Sequence, residues 1–167
     1  MGVVAGLVGA VTFANLTSNA VAFGPNDIQT GTASLAIEQT GCSTESVDTL
    51  IDGFNVTGLV PGGANSTLNF CLANTGDVPM AITGSIPQDL SASVAALHTN
   101  LSINCPGLGT LAANLNSWGP GTFTNPLAAG DSVSCTATVA LDTGYTGSGG
   151  ESIPTFGVYF NGTQVIL

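Results

Sequence analysis

Lysine and arginine are missing altogether from this chain of 167 residues, and a single histidine, His98, is its only side chain able to carry positive charge. The 10 acidic groups are spread along the sequence rather than gathered in a tail, and the formal net charge is −10 at pH 7. A chain without basic side chains has nothing with which to neutralise a phosphate backbone. Nucleic-acid binding through ionic contacts is excluded, and so is basic attachment to anionic lipid. Charged residues make up only 6% of the chain, so its solubility rests on Ser, Thr, Asn and Gly. At ordinary usage of the two basic residues, their absence over this length reads as selected rather than accidental. It suits tight side-by-side packing, resistance to proteases that cut after Lys or Arg, or an acidic or hot medium.

Catalytic and metal signatures are absent too. The sequence contains no HExxH, no second histidine and no Gly-x-Ser-x-Gly elbow. His98 falls in a helix-like stretch and reads as a partly buried or solvated residue. Aromatic residues are few and scattered, which gives no sugar-binding platform. "GSGGES" (147–152) lacks the lysine and the strand-to-helix setting of a phosphate cradle and reads as a flexible loop. Glu45, Asp48 and Asp52 in "TESVDTLID" can share one helical face and are candidate calcium ligands, although this spacing is commoner on a solvated face or turn. No cofactor is expected.

Cys42, Cys71, Cys105 and Cys135 form no CxxC pair, and with one histidine beside them a zinc site is not indicated. An even count in this composition reads as two disulfides and an oxidising, extracellular compartment. Three pairings can be drawn; the shorter loops favour Cys42 with Cys71 and Cys105 with Cys135. Sequons starting at Asn15, Asn55, Asn65, Asn100 and Asn161 are candidates for N-glycosylation, in a chain whose Asn, Ser and Thr content supplies several by chance.

The length and the 44% hydrophobic content suit one domain with a real core. Residues 1–16 form an apolar appendage, 17–28 a hinge around "TSNAVAFGPND", and 29–167 the domain. Short alternating segments separated by Gly, Pro, Asn and Asp predict strands. In "TASLAIEQ" (32–39) Ala33, Leu35 and Ile37 share a face. Leu68, Phe70 and Leu72 do so in "STLNFCLANTG" (66–76), and Met80, Ile82 and Ile86 in "MAITGSI" (80–86). "DSVSCTATVALD" (131–142) is the cleanest alternation, with Val133, Cys135, Ala137, Val139 and Leu141 inward, and "TFGVYFNGTQ" (155–164) closes the set with Phe156, Val158 and Phe160. The middle changes period: Leu90, Val94, Leu97 and Leu101 within 88–101, and Leu108, Leu111, Leu115 and Trp118 within 108–118, predict one or two short helices in a crossover.

An internal echo links "LVPGGANSTLNFCLANTG" (59–76) to "LAAGDSVSCTATVALDTG" (127–144). Each runs from a Leu-x-x-Gly turn through an alternating strand to a Thr-Gly turn. The expected fold is all-β, an antiparallel two-sheet sandwich of jelly-roll type in which the equivalent strands sit in facing sheets.

The same pieces, in order, resemble the TasA/camelysin family of secreted bacterial surface and biofilm-matrix proteins, with the related archaeal bundling pilins. The matching segments are the apolar opening, Phe23, "QTGTASLAI" (29–37), "LVPGG" (59–63), "FCLANTGDVPMAI" (70–82), "AAGDSVSCTATVALD" (128–142) and "VYFNGTQ" (158–164). The chain departs from the family in lacking lysines, in having four cysteines and in carrying Gly162 where the closing motif has alanine. The resemblance implies a jelly roll that polymerises by donor-strand exchange, the N-terminal segment of one subunit filling a gap in the sheet of the next. It implies an extracellular filament or pilus subunit whose partners are copies of itself and laterally bundled filaments. Two other readings are a monomeric adhesion module anchored in a membrane by its N-terminus, and a camelysin-like metallopeptidase.

The opening "MGVVAGLVGAVTFANL" is where these readings diverge. A transmembrane helix needs roughly 18 or more apolar residues, and this run meets Asn15 and Thr17 first. Ala20-Val21-Ala22 resembles a signal-peptide cleavage site, but a signal peptide opens on a basic region that this sequence lacks. A type IV pilin helix would have to tolerate glycine at 2, 6 and 9. As a strand, the segment puts Val3, Leu7, Val11 and Phe13 on one face, while Gly2, Gly6, Ala10 and Ala14 keep the other mostly small, Val4 and Val8 excepted. Burying the four large side chains would contribute about 6–12 kcal/mol before ordering costs, at about 1.5–3 kcal/mol each. The expected acceptor groove is lined by Leu68, Phe70, Val133, Val139, Phe156 and Phe160.

Overall fold

A computed structural model describes residues 34–38, 41–42, 59–147, 153 and 156–165. The secondary structure runs β1 (Leu35–Glu38), β2 (Ser66–Asn74), β3 (Met80–Ser85), α1 (Val94–His98), β4 (Thr99–Cys105), β5 (Gly109–Asn114), a 3-10 turn at Leu115–Ser117, β6 (Gly121–Thr122), β7 (Ser132–Leu141) and β8 (Tyr159–Gln164). Among the described residues the strands form two antiparallel sheets, one of five in the order β1-β2-β7-β4-β5 and one of three in the order β6-β3-β8.

Alternation decides which face each strand buries. Along β7 Cys135, Ala137, Val139 and Leu141 are buried while Thr136, Thr138 and Ala140 are half-exposed, the period of two that a sheet with one covered face demands. β3 repeats this with Met80 and Ile82 fully buried. Across the interior Phe70 on β2 meets Phe160 on β8 with ring centroids 5.6 Å apart, which joins the two sheets into one core. Met80 also exchanges backbone hydrogen bonds with Leu127 in both directions, tying the smaller sheet to the chain that leads into β7.

The disulfides are Cys42–Cys71 and Cys105–Cys135, spanning 29 and 30 residues of sequence, the pairing that the shorter loops favoured. Cys105 closes β4 directly across from Cys135 on β7, and Cys71 lies on the β2 face opposite Phe70. In the chain-entropy view each loop of this size stabilises the fold by about 3–4 kcal/mol.

The helical reading of the middle is corrected in two places. Within 88–101 only Val94–His98 is helical, and the face differs from the expected one: Val94 and Leu97 are 58% and 46% exposed while Ala95 and Ala96 are buried. Ser93 caps this helix, its hydroxyl accepting from the Ala96 amide, and the Thr99 hydroxyl donates to the Ala95 carbonyl where the helix ends. Leu101 is buried, but on β4. The stretch 108–118 is not a helix but the strand β5 followed by a 3-10 turn, and it nonetheless delivers Leu108, Leu115 and Trp118 to the core. The cause is tertiary. Leu101, Ile103 and Cys105 alternate as well as they space, and ladders to β7 on one side and β5 on the other select the strand.

The internal echo is real, but its placement differs from expectation. β2 and β7 are not in facing sheets; they are direct neighbours, paired in register from Ser66↔Val139 to Ala73↔Ser132. Gly62 and Gly130 hold equivalent places before the two strands, with φ of 65° and 68°, a left-handed conformation that suits glycine. Each turn bonds the far end of the other unit: the Gly62 amide donates to the Leu141 carbonyl, and the Gly130 amide to the Gly76 carbonyl.

Candidate functional site

Polar chemistry in the described residues concentrates at the two ends of the paired strands β2 and β7. At the end of β2, Asn74 is fully buried. Its side-chain nitrogen donates to the carbonyls of Val78, Leu127 and Ala128 at 2.7, 3.2 and 3.0 Å, while its oxygen accepts from the Gly76 amide at 3.0 Å. One neutral amide thereby ties the β2–β3 turn to the segment entering β7. At the end of β7, Asp142 occupies the corresponding place and accepts from the Gly144 amide at 2.7 Å.

Asp142 also faces His98. Their closest approach is 3.1 Å from Nδ1 to Oδ1, with side chains 45% and 27% exposed respectively. A carboxylate only accepts, so Nδ1 carries the hydrogen of this contact. The Tyr145 ring stands edge-on to the imidazole at 5.9 Å, and the Asp142 amide donates to the His98 carbonyl. A histidine oriented by an aspartate is half of a nucleophilic triad, but a general base needs its substrate hydroxyl or thiol within hydrogen-bond reach. Among the described residues no serine, threonine or cysteine hydrogen-bonds to His98. The pair fastens the end of α1 to the end of β7.

The six expected groove residues all belong to the core or its margin, and no open groove among the described residues is lined by them. Phe70, Val139 and Phe160 are buried in the core, and Leu68, Val133 and Phe156 pack against it half-buried. Val3, Leu7, Val11 and Phe13 lie outside the described residues, as do Glu45, Asp48 and Asp52 and the sequons at Asn15 and Asn55. Of the other sequons, Asn65 is exposed just before β2, whereas Asn100 and Asn161 are half-buried on β4 and β8. Among the described residues no three His, Cys, Asp or Glu side chains cluster to hold a metal ion, and no helix is long and apolar enough to cross a membrane.

A concavity opens where the sandwich ends at β5. It encloses about 240 Å³ and is lined by Thr110–Ala113, Trp118, Gly119 and Gly121. Trp118 is anchored beneath it by a hydrogen bond from Nε1 to the Leu101 carbonyl at 3.0 Å. The helical reading of 108–118 hid this groove, because it placed Leu111 and Trp118 on a helix face rather than along a sheet edge. Asn74 was missed for another reason: a buried amide and a loop amide look alike in sequence, and only the Asn-Thr-Gly and Asp-Thr-Gly echo hinted at it.

No family model matches the chain, and no curated protein matches it.

Proposed function

We propose that this protein is the structural subunit of an extracellular filament or pilus, serving a biofilm matrix or the bundling of cells. The subunits polymerise head to tail, residues 2–15 of one copy completing the sheet of the next. The observation that carries this reading is the opening stretch: large side chains at Val3, Leu7, Val11 and Phe13 against a mostly small opposite face, with no charge before Asp27. That is the pattern of a strand made to be covered on one side and approached closely on the other. A two-sheet antiparallel sandwich supports it, since sheet edges are the usual receivers of an added strand, and we read the sandwich as a jelly roll. The two disulfides support an oxidising, extracellular setting. A head-to-tail contact that does not close on itself gives an open fibre.

In this reading the protein is no enzyme and needs no cofactor, and the mature form attaches to neither nucleic acid nor membrane. The test is negative-stain electron microscopy of the native protein, before and after boiling in SDS, beside a variant lacking residues 1–16. Long uniform fibres that survive boiling and vanish with the deletion are expected. Fibres of normal appearance from the shortened chain overturn the donor-strand mechanism, and discrete particles that need detergent point to a membrane-anchored monomer.

A further inference from the structure

A donor strand needs an edge to join, and the edges of this sandwich are not equivalent. β1 is described over Leu35–Glu38, and Cys42 shortly after it is bonded to Cys71 on the neighbouring strand. β6 has two residues. On β8, Tyr159 and Gly162 are already engaged in contacts of their own. β5 is different. It runs for six residues, and among the described residues its ladder partner is β4 alone.

The direction of the backbone groups along β5 follows from the disulfide beside it. Cys105 and Cys135 stand 4.3 Å apart at Cα, the spacing of a pair that exchanges no backbone hydrogen bonds. The hydrogen bond from the Asp142 amide to the His98 carbonyl fixes the same phase at the other end of the β4–β7 ladder. Leu101, Ile103 and Cys105 therefore turn their N–H and C=O toward β5, where they meet Ala113, Leu111 and Gly109. By alternation Thr110 and Ala112 aim theirs away from β4, along the outer edge and beside the 240 Å³ groove.

Charge identifies the occupant. Copies of a chain with net charge −10 and no lysine or arginine repel one another wherever carboxylates meet, and the only cationic side chain that could offset it, His98, already faces Asp142 of its own chain. A contact between copies has to be uncharged on both sides. Residues 1–26 carry no charged side chain, and neither do residues 99–130, the stretch that contains β4, β5, Trp118 and β6. These are the two longest uncharged runs in the sequence.

We infer that the outer edge of β5 is the acceptor for the N-terminal segment of a second copy. The inference rests on the donor-strand reading and adds the place where the strand docks. The incoming backbone pairs with Thr110 and Ala112, and two or three of Val3, Leu7, Val11 and Phe13 enter the groove over Leu111 and Trp118. Phe70, Val139 and Phe160 stay in the closed core.

The test substitutes the edge without touching the β4 ladder. Ala112→Pro removes an outward N–H, a change that edge strands tolerate, while Ala112→Ser keeps it. Filaments are expected to be lost in the proline variant and kept in the serine variant, with both proteins retaining the parent's circular dichroism. Should the proline variant unfold, the native protein decides instead. The amides of Thr110 and Ala112 point away from β4, so their hydrogen–deuterium exchange reads the edge directly, and it is expected to slow on assembly. Normal fibres from a folded Ala112→Pro protein, or exchange at these two amides unchanged on assembly, overturn the β5 site. If deletion of residues 1–16 still abolishes fibres, the donor-strand reading survives that result and another edge receives the segment.

Discussion

Asn74-Thr75-Gly76 and Asp142-Thr143-Gly144 are the same turn built twice, and they differ in one atom of the first side chain and in everything around it. Both follow a strand, and both accept a hydrogen bond from the glycine two residues on, at 3.0 and 2.7 Å. Asn74 is sealed from solvent among three carbonyl oxygens, where only a group that donates as well as accepts can be satisfied. Asp142 sits at the surface, where a charge is hydrated and the chain's one histidine lies beside it. The turn geometry asks only for an acceptor; burial decides whether it must be neutral.

Moving one side chain into the other's setting tests this rule directly. Asn74→Asp removes the donor to three carbonyls and leaves a carboxylate facing them, so it is expected to destabilise the fold by about 3–5 kcal/mol, read as a shift of the urea midpoint. The glycines before the two strands extend the comparison. Alanine at either must adopt a left-handed conformation costing about 1–2 kcal/mol. At Gly62, however, a Cβ would also meet the Thr143 methyl group at 2.8 Å, whereas at Gly130 it would meet nothing within 4 Å. Gly62→Ala is therefore expected to lower the melting temperature more than Gly130→Ala; the reverse order would mean that the Thr143 side chain moves aside freely.

Asp142→Asn keeps the acceptor for Gly144 and changes only a half-exposed contact with the His98 ring, so its cost is expected to stay within about 1 kcal/mol. Asp89 completes the series as a fully exposed turn of the same type, accepting from the Ser91 amide at 2.9 Å. Hydrogen bonds from Ser91, first its side chain and then its backbone, hold the Asp89 carboxyl below its ordinary pKa of 3.8. A carboxyl lowered by folding contributes stability above its unfolded value and loses it as pH falls through the folded one. The parent is thus expected to lose slightly more melting temperature than Asp89→Asn as pH drops below 3.8, the smallest effect of the set.

How far the sequence foretold this structure depended on how much of each signal was local. β7 was legible because Val133, Cys135, Ala137, Val139 and Leu141 alternate over its whole length and nothing else fits them. The disulfides followed from loop length. β4 and β5 were not legible, because leucines spaced by three and four residues satisfy a helix while the same stretches also alternate. The choice was made by ladders to a strand about thirty residues further on. Partner choice was hidden for the same reason: the echo showed that β2 and β7 are alike but carried no sign that they lie side by side. Of the site, His98 was visible as the lone histidine, but its aspartate lies 44 residues away and no motif joins the two.

The two disulfides acquire a further meaning once the larger sheet is placed under tension. A force drawn across it from β5 toward β1 meets β4 first, joined to β5 by a short turn, and then a covalent rung from Cys105 to Cys135. At the far side Cys42 and Cys71 form a second rung. Between them stands the β2–β7 ladder, held by hydrogen bonds and packing alone, and with eight registered pairs it is the longest in the molecule's described part. Covalent bonds reinforce the flanking joints, and the joint without one is the joint with the most rungs to share the tension.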